Sequence, residues 1–166
     1  MVIQATKKLQ DFLGIKTDTL PKYDEVFESW HGNIFMIGRK KCLLITHNES
    51  LYSIFIYGIT KKHIPNLLSI ISDFLIEILR RDDFTIPQIE IMLKSLDSLK
   101  FTKTSDRSVT GNMNDMVHIL KHYNMTEDEL DLAKFINHTP YKRGDFHFPE
   151  KILKTILDSK QAMLRT

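Results

Sequence analysis

Apolar residues recur at two different periods along this chain, and the change of period divides it. Residues 33–38, 41–47 and 51–58 are three runs rich in Ile, Leu, Phe and Tyr, separated by Gly38-Arg39-Lys40 and Asn48-Glu49-Ser50. Connections this short force neighbouring strands to run antiparallel, so the segment reads as a β-meander. In the third run Leu51, Ser53, Phe55 and Tyr57 alternate with Tyr52, Ile54 and Ile56. Both sets are largely apolar, which predicts a sheet covered on both faces. Asn48 suits the left-handed geometry of the turn it opens.

From residue 62 onward the period becomes helical. Ile64, Leu67, Leu68, Ile71, Phe74, Leu75, Ile78 and Leu79 mark a helix over about 62–82, with Pro65 tolerated in its first turn. Thr85 is the N-cap of a second over about 86–98, with Pro87 early and Ile89, Leu93 and Leu96 on one face. Further helices are expected over about 107–123, 126–138 and 149–159, the fourth opened by a capping box from Thr126 to Glu129 and the last by Pro149. Residues 1–4 and 99–104 read as short strands. Thr6 caps a helix through Leu9, Phe12 and Leu13 that stops at Gly14. Residues 17–22 read as a loop containing Pro21, 23–30 are ambiguous, and a polar turn is expected between the last two helices. The whole is an α+β chain, a mainly antiparallel meander sheet packed by several helices, forming one domain over 1–166.

The 107–123 helix separates into two faces when wound at about 100° per residue. Val109, Met113, Met116 and Leu120 fall on one side; Arg107, Gly111, Asn114, Asp115, His118 and His122 fall on the other. A mid-helix glycine costs about 1 kcal/mol relative to alanine. Gly111 is therefore expected to admit a close approach by another segment, with Arg107 and Asp115 tying down a loop. Functionally, the same stripe could line a cleft. A second polar cluster, Trp30, His31 and Asn33, is expected just before the sheet. Its indole can wall a ligand site or plug the core with a polar tip.

Composition narrows the choices. The chain has 166 residues, 42% of them hydrophobic and 27% charged, enough for a core without disulfides. Its net charge of +2 makes no strong demand for a polyanionic partner, so nucleic acid is possible but not favoured. The basic clusters Arg39-Lys40-Lys41, Lys61-Lys62, Arg80-Arg81 and Lys142-Arg143 read as solvated turns and helix ends. Cys42, the one cysteine, sits in an apolar run and reads as a small buried hydrophobe. No secretory signal or membrane-spanning segment is visible, which points to a cytoplasmic protein with no membrane partner.

Trp30-His31-Gly32-Asn33, Ile37-Gly38-Arg39-Lys40, Asn48-Glu49, Asp106-Arg107-Ser108-Val109 with Gly111, Met113, Asn114 and Asp115, and Thr139-Pro140 occur in this order. With the opening Ala5-Thr6-Lys7-Lys8-Leu9, they resemble a family of small bacterial proteins known only as domain of unknown function family 6933. The chain departs mildly from that pattern at Thr110, where a leucine is common, and at Asn112, where a small residue is common. The resemblance implies a bacterial or phage origin and a self-contained domain; it implies no activity, cofactor or substrate.

Two readings of function follow from the residues. One is a small binding or regulatory module with a ligand groove beside the 107–122 helix. In it Arg107 anchors an anionic group, Asn114 and Asp115 orient it, and Trp30 and His31 contribute to binding a small molecule or a protein. The alternative is a small hydrolase, perhaps phosphoester-directed, with His118 as acid or base, Asp115 as its orienter and Arg107 as a clamp. His118 and His122 give His-x-x-x-His, but Ile119 stands where a metallopeptidase needs glutamate, so no metal site is expected. The chain has no P-loop, dinucleotide fingerprint or Cys-x-x-Cys, so no cofactor is expected either.

Overall fold

The strands β1 (Val2–Ala5), β2 (Ser29–Ile37), β3 (Lys40–His47), β4 (Ser53–Tyr57) and β5 (Lys100–Lys103) form one sheet ordered β4-β3-β2-β1-β5. The computed structural model describes residues 1–16, 29–123 and 128–166. Only β2, β3 and β4 form the antiparallel meander; β1 lies parallel to both β2 and β5. The sheet is mixed, which corrects the mainly antiparallel expectation. The reason lies in the connections. The chain leaves β1 through helix α1 (Lys7–Leu13) rather than a tight turn, and a helical crossover returns the next strand in the same direction. Likewise β5 arrives only after α2 (Leu67–Arg81) and α3 (Ile86–Leu93).

Several boundaries move for local reasons. β2 starts at Ser29, so Trp30 and His31 lie inside the sheet and not before it. The first turn of the 62–82 helix is a 3-10 turn, Lys61–Asn66, containing Pro65. Thr85 caps α3 as expected, in a capping box with Gln88 that the sequence reading did not include, but the helix ends at Leu93. α4 spans Arg107–His122 and is capped by Asp106. α5 spans Glu129–Asn137 with Asp128 as its N-cap, accepting from the Leu130 N–H; Thr126 lies outside the described residues. So do the expected loop at 17–22 and most of the ambiguous 23–30. β6 (Tyr141–Arg143) and β7 (Asp145–His147) make a small hairpin where only a polar turn was expected, and α6 runs Pro149–Leu164. At the end of β3 the left-handed residue is Leu51, φ 63°, and not Asn48. Its side chain is buried in the core, which offsets a backbone cost of about 1–2 kcal/mol.

Two helices fix the sheet's surroundings. Asn137, buried on α5, reaches the free edge of β4: its Oδ1 accepts the Ser53 N–H (2.7 Å) and its Nδ2 donates to the Ser53 carbonyl (2.9 Å). Glu129 Oε2 accepts the Tyr57 N–H on the same edge at 2.8 Å. α5 thus satisfies backbone groups that an edge strand would otherwise offer to another chain. On the opposite side α1 lies against β2 at Gly32. A Cβ there would stand 2.6 Å from Leu9 Cδ2 and 2.7 Å from Ile3 Cγ2. Glycine is what lets the helix come this close, and Phe12, one turn beyond Leu9, then lies over the outer part of β2. Among the described residues, no helix is long and apolar enough to cross a membrane.

Because Leu9 and Ile3 are both buried, Gly32→Ala cannot be absorbed by a side chain swinging into solvent. Urea unfolding of this variant should show a loss of about 1–3 kcal/mol, the usual cost of overpacking a core.

Candidate functional site

α4 presents the two faces expected of it. Val109, Met113, Met116 and Leu120 are buried, while Arg107, Gly111, Asn114, Asp115, His118 and His122 are exposed. The close packing expected at Gly111 is absent: a Cβ there would meet nothing within 4 Å. Arg107 and Asp115 tie down no loop, since neither side chain bonds to another described residue. The His118 and His122 rings lie with centroids 4.4 Å apart and planes tilted by 58°, and His122 Nδ1 lies 2.7 Å from the His118 carbonyl. No hydrogen bond joins Asp115 to His118. Among the described residues, no group of three or more His, Cys, Asp or Glu is placed to hold a metal ion.

The buried face of the same helix covers a row of polar side chains that crosses all five strands. The register aligns Ser53, Thr46, His31, Gln4 and Thr102 on neighbouring strands, all of them buried. Thr46 and Ser53 hydroxyls bond each other (2.8 Å) and meet Met116 Sδ of α4 at 3.9 and 3.2 Å. The Gln4 amide donates to Ser29 Oγ (2.8 Å) and accepts from the Ser105 N–H and hydroxyl (2.8 and 2.7 Å). His31 is 0% exposed, and its Nδ1 lies 2.6 Å from Asn48 Oδ1. An amide oxygen only accepts, so Nδ1 carries the proton and Nε2 is left as an acceptor. Burial holds the His31 pKa below its usual value, against the opposing pull of the Asn48 hydrogen bond and the Asp106 charge.

Asn48 connects this row to the start of α4. Arg143, on β6, donates through Nη1 to the Asn48 and Glu49 carbonyls and through Nη2 to Asp106 Oδ2 at 3.2 Å. Asp106 Oδ1 in turn accepts the Ser108 and Val109 N–H groups at 2.8 and 3.2 Å. His31, Asn48, Asp106 and Arg143 thus form one hydrogen-bonded constellation from four separate segments. Trp30, 1% exposed, packs edge-on against His47 with centroids 5.0 Å apart. Neither Trp30 nor His31 offers surface to a ligand in this conformation; both act as the core plug.

A cavity lies at the other end of α4. It measures about 580 Å³ and is bounded by α1, the tip of the β2–β3 hairpin and the last turn of α4. Phe12, Ile34, Phe35 and Met36 give it an apolar floor, and Lys8, Lys41, Lys61 and Lys121 surround that floor with ammonium groups. Asp11 is its one acidic lining residue, and it pairs with Lys7 at 2.9 Å. None of Arg107, Asn114, Asp115, His118 or His122 lines this cavity. Composition shows the lysines, but their convergence is invisible in sequence, where they stand at positions 8, 41, 61 and 121.

One further cluster has no sequence signal at all. Asp82, buried, accepts from the Tyr52 hydroxyl at 2.7 Å and lies 2.9 Å from Nε2 of the part-exposed His138. Burial, and then the Asp82 charge, push the Tyr52 pKa well above its usual value. A carboxylate behind a surface imidazole orients that ring for proton transfer, but His138 does not line the cavity described above. Cys42 is fully buried, and burial raises its thiol pKa, so it is inert as the sequence suggests.

Two measurements test this arrangement. Gly111→Ala should stabilise the fold by about 1 kcal/mol, the helix propensity gain with no clash to oppose it, while Arg107→Ala and Asp115→Ala leave the urea midpoint unchanged. His31 binds a proton more weakly folded than unfolded. The stability it contributes is full above the unfolded-state value of about 6.5 and is lost progressively as pH falls from there toward the depressed folded value. Urea titrations at stepped pH should show that loss, and His31→Gln should remove it.

Comparison with known sequences closes the description of the site. No curated protein matches the chain. The family model described as "Domain of unknown function (DUF6933)" matches residues 2–152, which include every segment of the constellation and the lysines of the cavity. The chain belongs to that family.

Proposed function

We propose that this chain is a binding module and that its ligand occupies the cavity between α1, the β2–β3 hairpin and the end of α4. The observation that supports this is the cavity itself. At about 580 Å³, with an apolar floor and a few polar groups around it, it has the size and make-up of a small-molecule site. The groove does adjoin the Arg107–His122 helix, but through Lys121 and not through the polar stripe.

The hydrolase reading has less in its favour. His118, Asp115 and Arg107 share a helix face, yet no hydrogen bond joins Asp115 to His118. Recognition of a macromolecule through the outer face of α4 keeps one supporting observation. Arg107, Asn114 and Asp115 are exposed, and their side chains form no hydrogen bond or ion pair with another described residue.

Backbone amide shifts under a fragment panel separate these readings. Binding in the cavity moves Ile34, Met36, Lys41 and Lys121. Met36→Trp, placing an indole in the cavity from a side chain that is 44% exposed, abolishes those shifts without lowering the unfolding midpoint. Shifts confined to Asn114, Asp115 and His118 would overturn the cavity reading.

A further inference from the structure

The charges around the cavity carry the reading one step further, to the class of ligand. We infer that the cavity takes a small amphipathic anion, an apolar body carrying a single carboxylate or comparable anionic head; this rests on the binding-module reading above.

Charge complementarity is the first argument. Lys8, Lys41, Lys61 and Lys121 line the site, and none of their ammonium groups bonds to another described residue. Asp11, the acidic lining residue, is already engaged by Lys7 at 2.9 Å. The whole chain carries a net charge of only +2, so four lysines around one concavity, none of them paired among the described residues, concentrate positive potential beyond the average surface.

Nor does helix electrostatics account for all of them. Lys121 lies in the last turn of α4, where a cation offsets the helix dipole. Lys8 lies in the first turn of α1, which has no acidic residue, and a cation there opposes the dipole. Lys41 stands on β3 directly across from Met36, and Lys61 opens the 3-10 turn. Holding these like charges around a shared floor costs free energy that an anion would relieve.

The floor argues for the apolar body. Phe12, Ile34, Phe35 and Met36 all line the cavity, and Met36 is exposed. A smaller depression of about 360 Å³ shares Phe12, Lys41 and Lys61 with the cavity and adds Arg39 and Lys40. The cations are therefore densest on the hairpin side, which sets the orientation: head toward Lys41 and Lys61, body against Phe12 and Ile34. Lysines are point charges with no planar fork, so they select an anion by charge and not by the shape of its head.

A matched set of probes, octanoate, 1-octanol and octylamine, tests this by calorimetry and amide-shift mapping at low salt. Octanoate should bind about tenfold tighter than 1-octanol, as two to three ammonium groups near the head predict in a solvent-exposed site, and octylamine weakest. The ratio of octanoate to octanol affinity should shrink toward unity in Lys41→Gln/Lys61→Gln, whose octanol affinity and unfolding midpoint stay as in wild type. Rising salt should have the same effect. If octanol binds in the cavity as tightly as octanoate, the binding module stands and the anion inference falls. If none of the three binds there, the cavity reading itself falls. A single-stranded oligonucleotide binding more tightly than octanoate, with affinity falling steeply in salt, would overturn the inference in favour of a polyanion surface.

Discussion

A row of five polar side chains lies buried in the middle of this protein, and hydrogen bonds from the surrounding structure reach it everywhere except at Thr102 Oγ1 and His31 Nε2. Ser53, Thr46, His31, Gln4 and Thr102 stand on five adjacent strands and are all buried. A buried polar group without a partner costs about 1–3 kcal/mol, so each member constrains what can be placed over it. Gln4 holds Ser105 and with it the approach to α4; His31 holds Asn48; Asn48 and Glu49 receive Arg143 from the β6–β7 hairpin; Arg143 holds Asp106, the N-cap of α4. The start of that helix is therefore positioned by hydrogen bonds, while its middle is positioned by Met113 and Met116 against the core.

This has a consequence for where function can lie. The N-terminal end of α4 is consumed by structure: its capping carboxylate is spoken for by two backbone N–H groups and a guanidinium. At the C-terminal end, α4 contributes Lys121 to a cavity whose cations have no partners among the described residues. By letting α1 lie directly on β2, Gly32 brings Phe12 over Ile34 and forms the cavity's inner wall. A residue chosen for packing thus shapes a concavity one helical turn away.

Much of the fold was legible in sequence, for reasons that can be named. The helical period of α2 and α4, the capping residues Thr6 and Thr85, the stop at Gly14 and the three meander strands are local properties, and each appeared as read. The exposed stripe of α4 was legible too, because a helix face follows from spacing alone. The parallel pairing of β1 was not, since a strand's partners depend on which connections cross the sheet. The extension of β2 back to Ser29 was not, because buried His31 breaks the apolar pattern that marks a strand. The interpretation of Gly111 failed for a related reason: helical spacing gives the direction a residue faces, but not whether anything stands opposite.

The sequence by itself determined the fold class, most of the elements and the two faces of α4. Periodicity and capping are written into neighbouring residues, and the family membership is carried by short ordered segments along the chain. Only the tertiary structure decided which charges meet. Lys41 and Lys61 read separately as parts of solvated turns; the sheet and the 3-10 turn set them beside Lys8 and Lys121 around one apolar floor. The interaction between two charges depends on their separation in space and on the solvent between them, and neither quantity exists until the chain has folded.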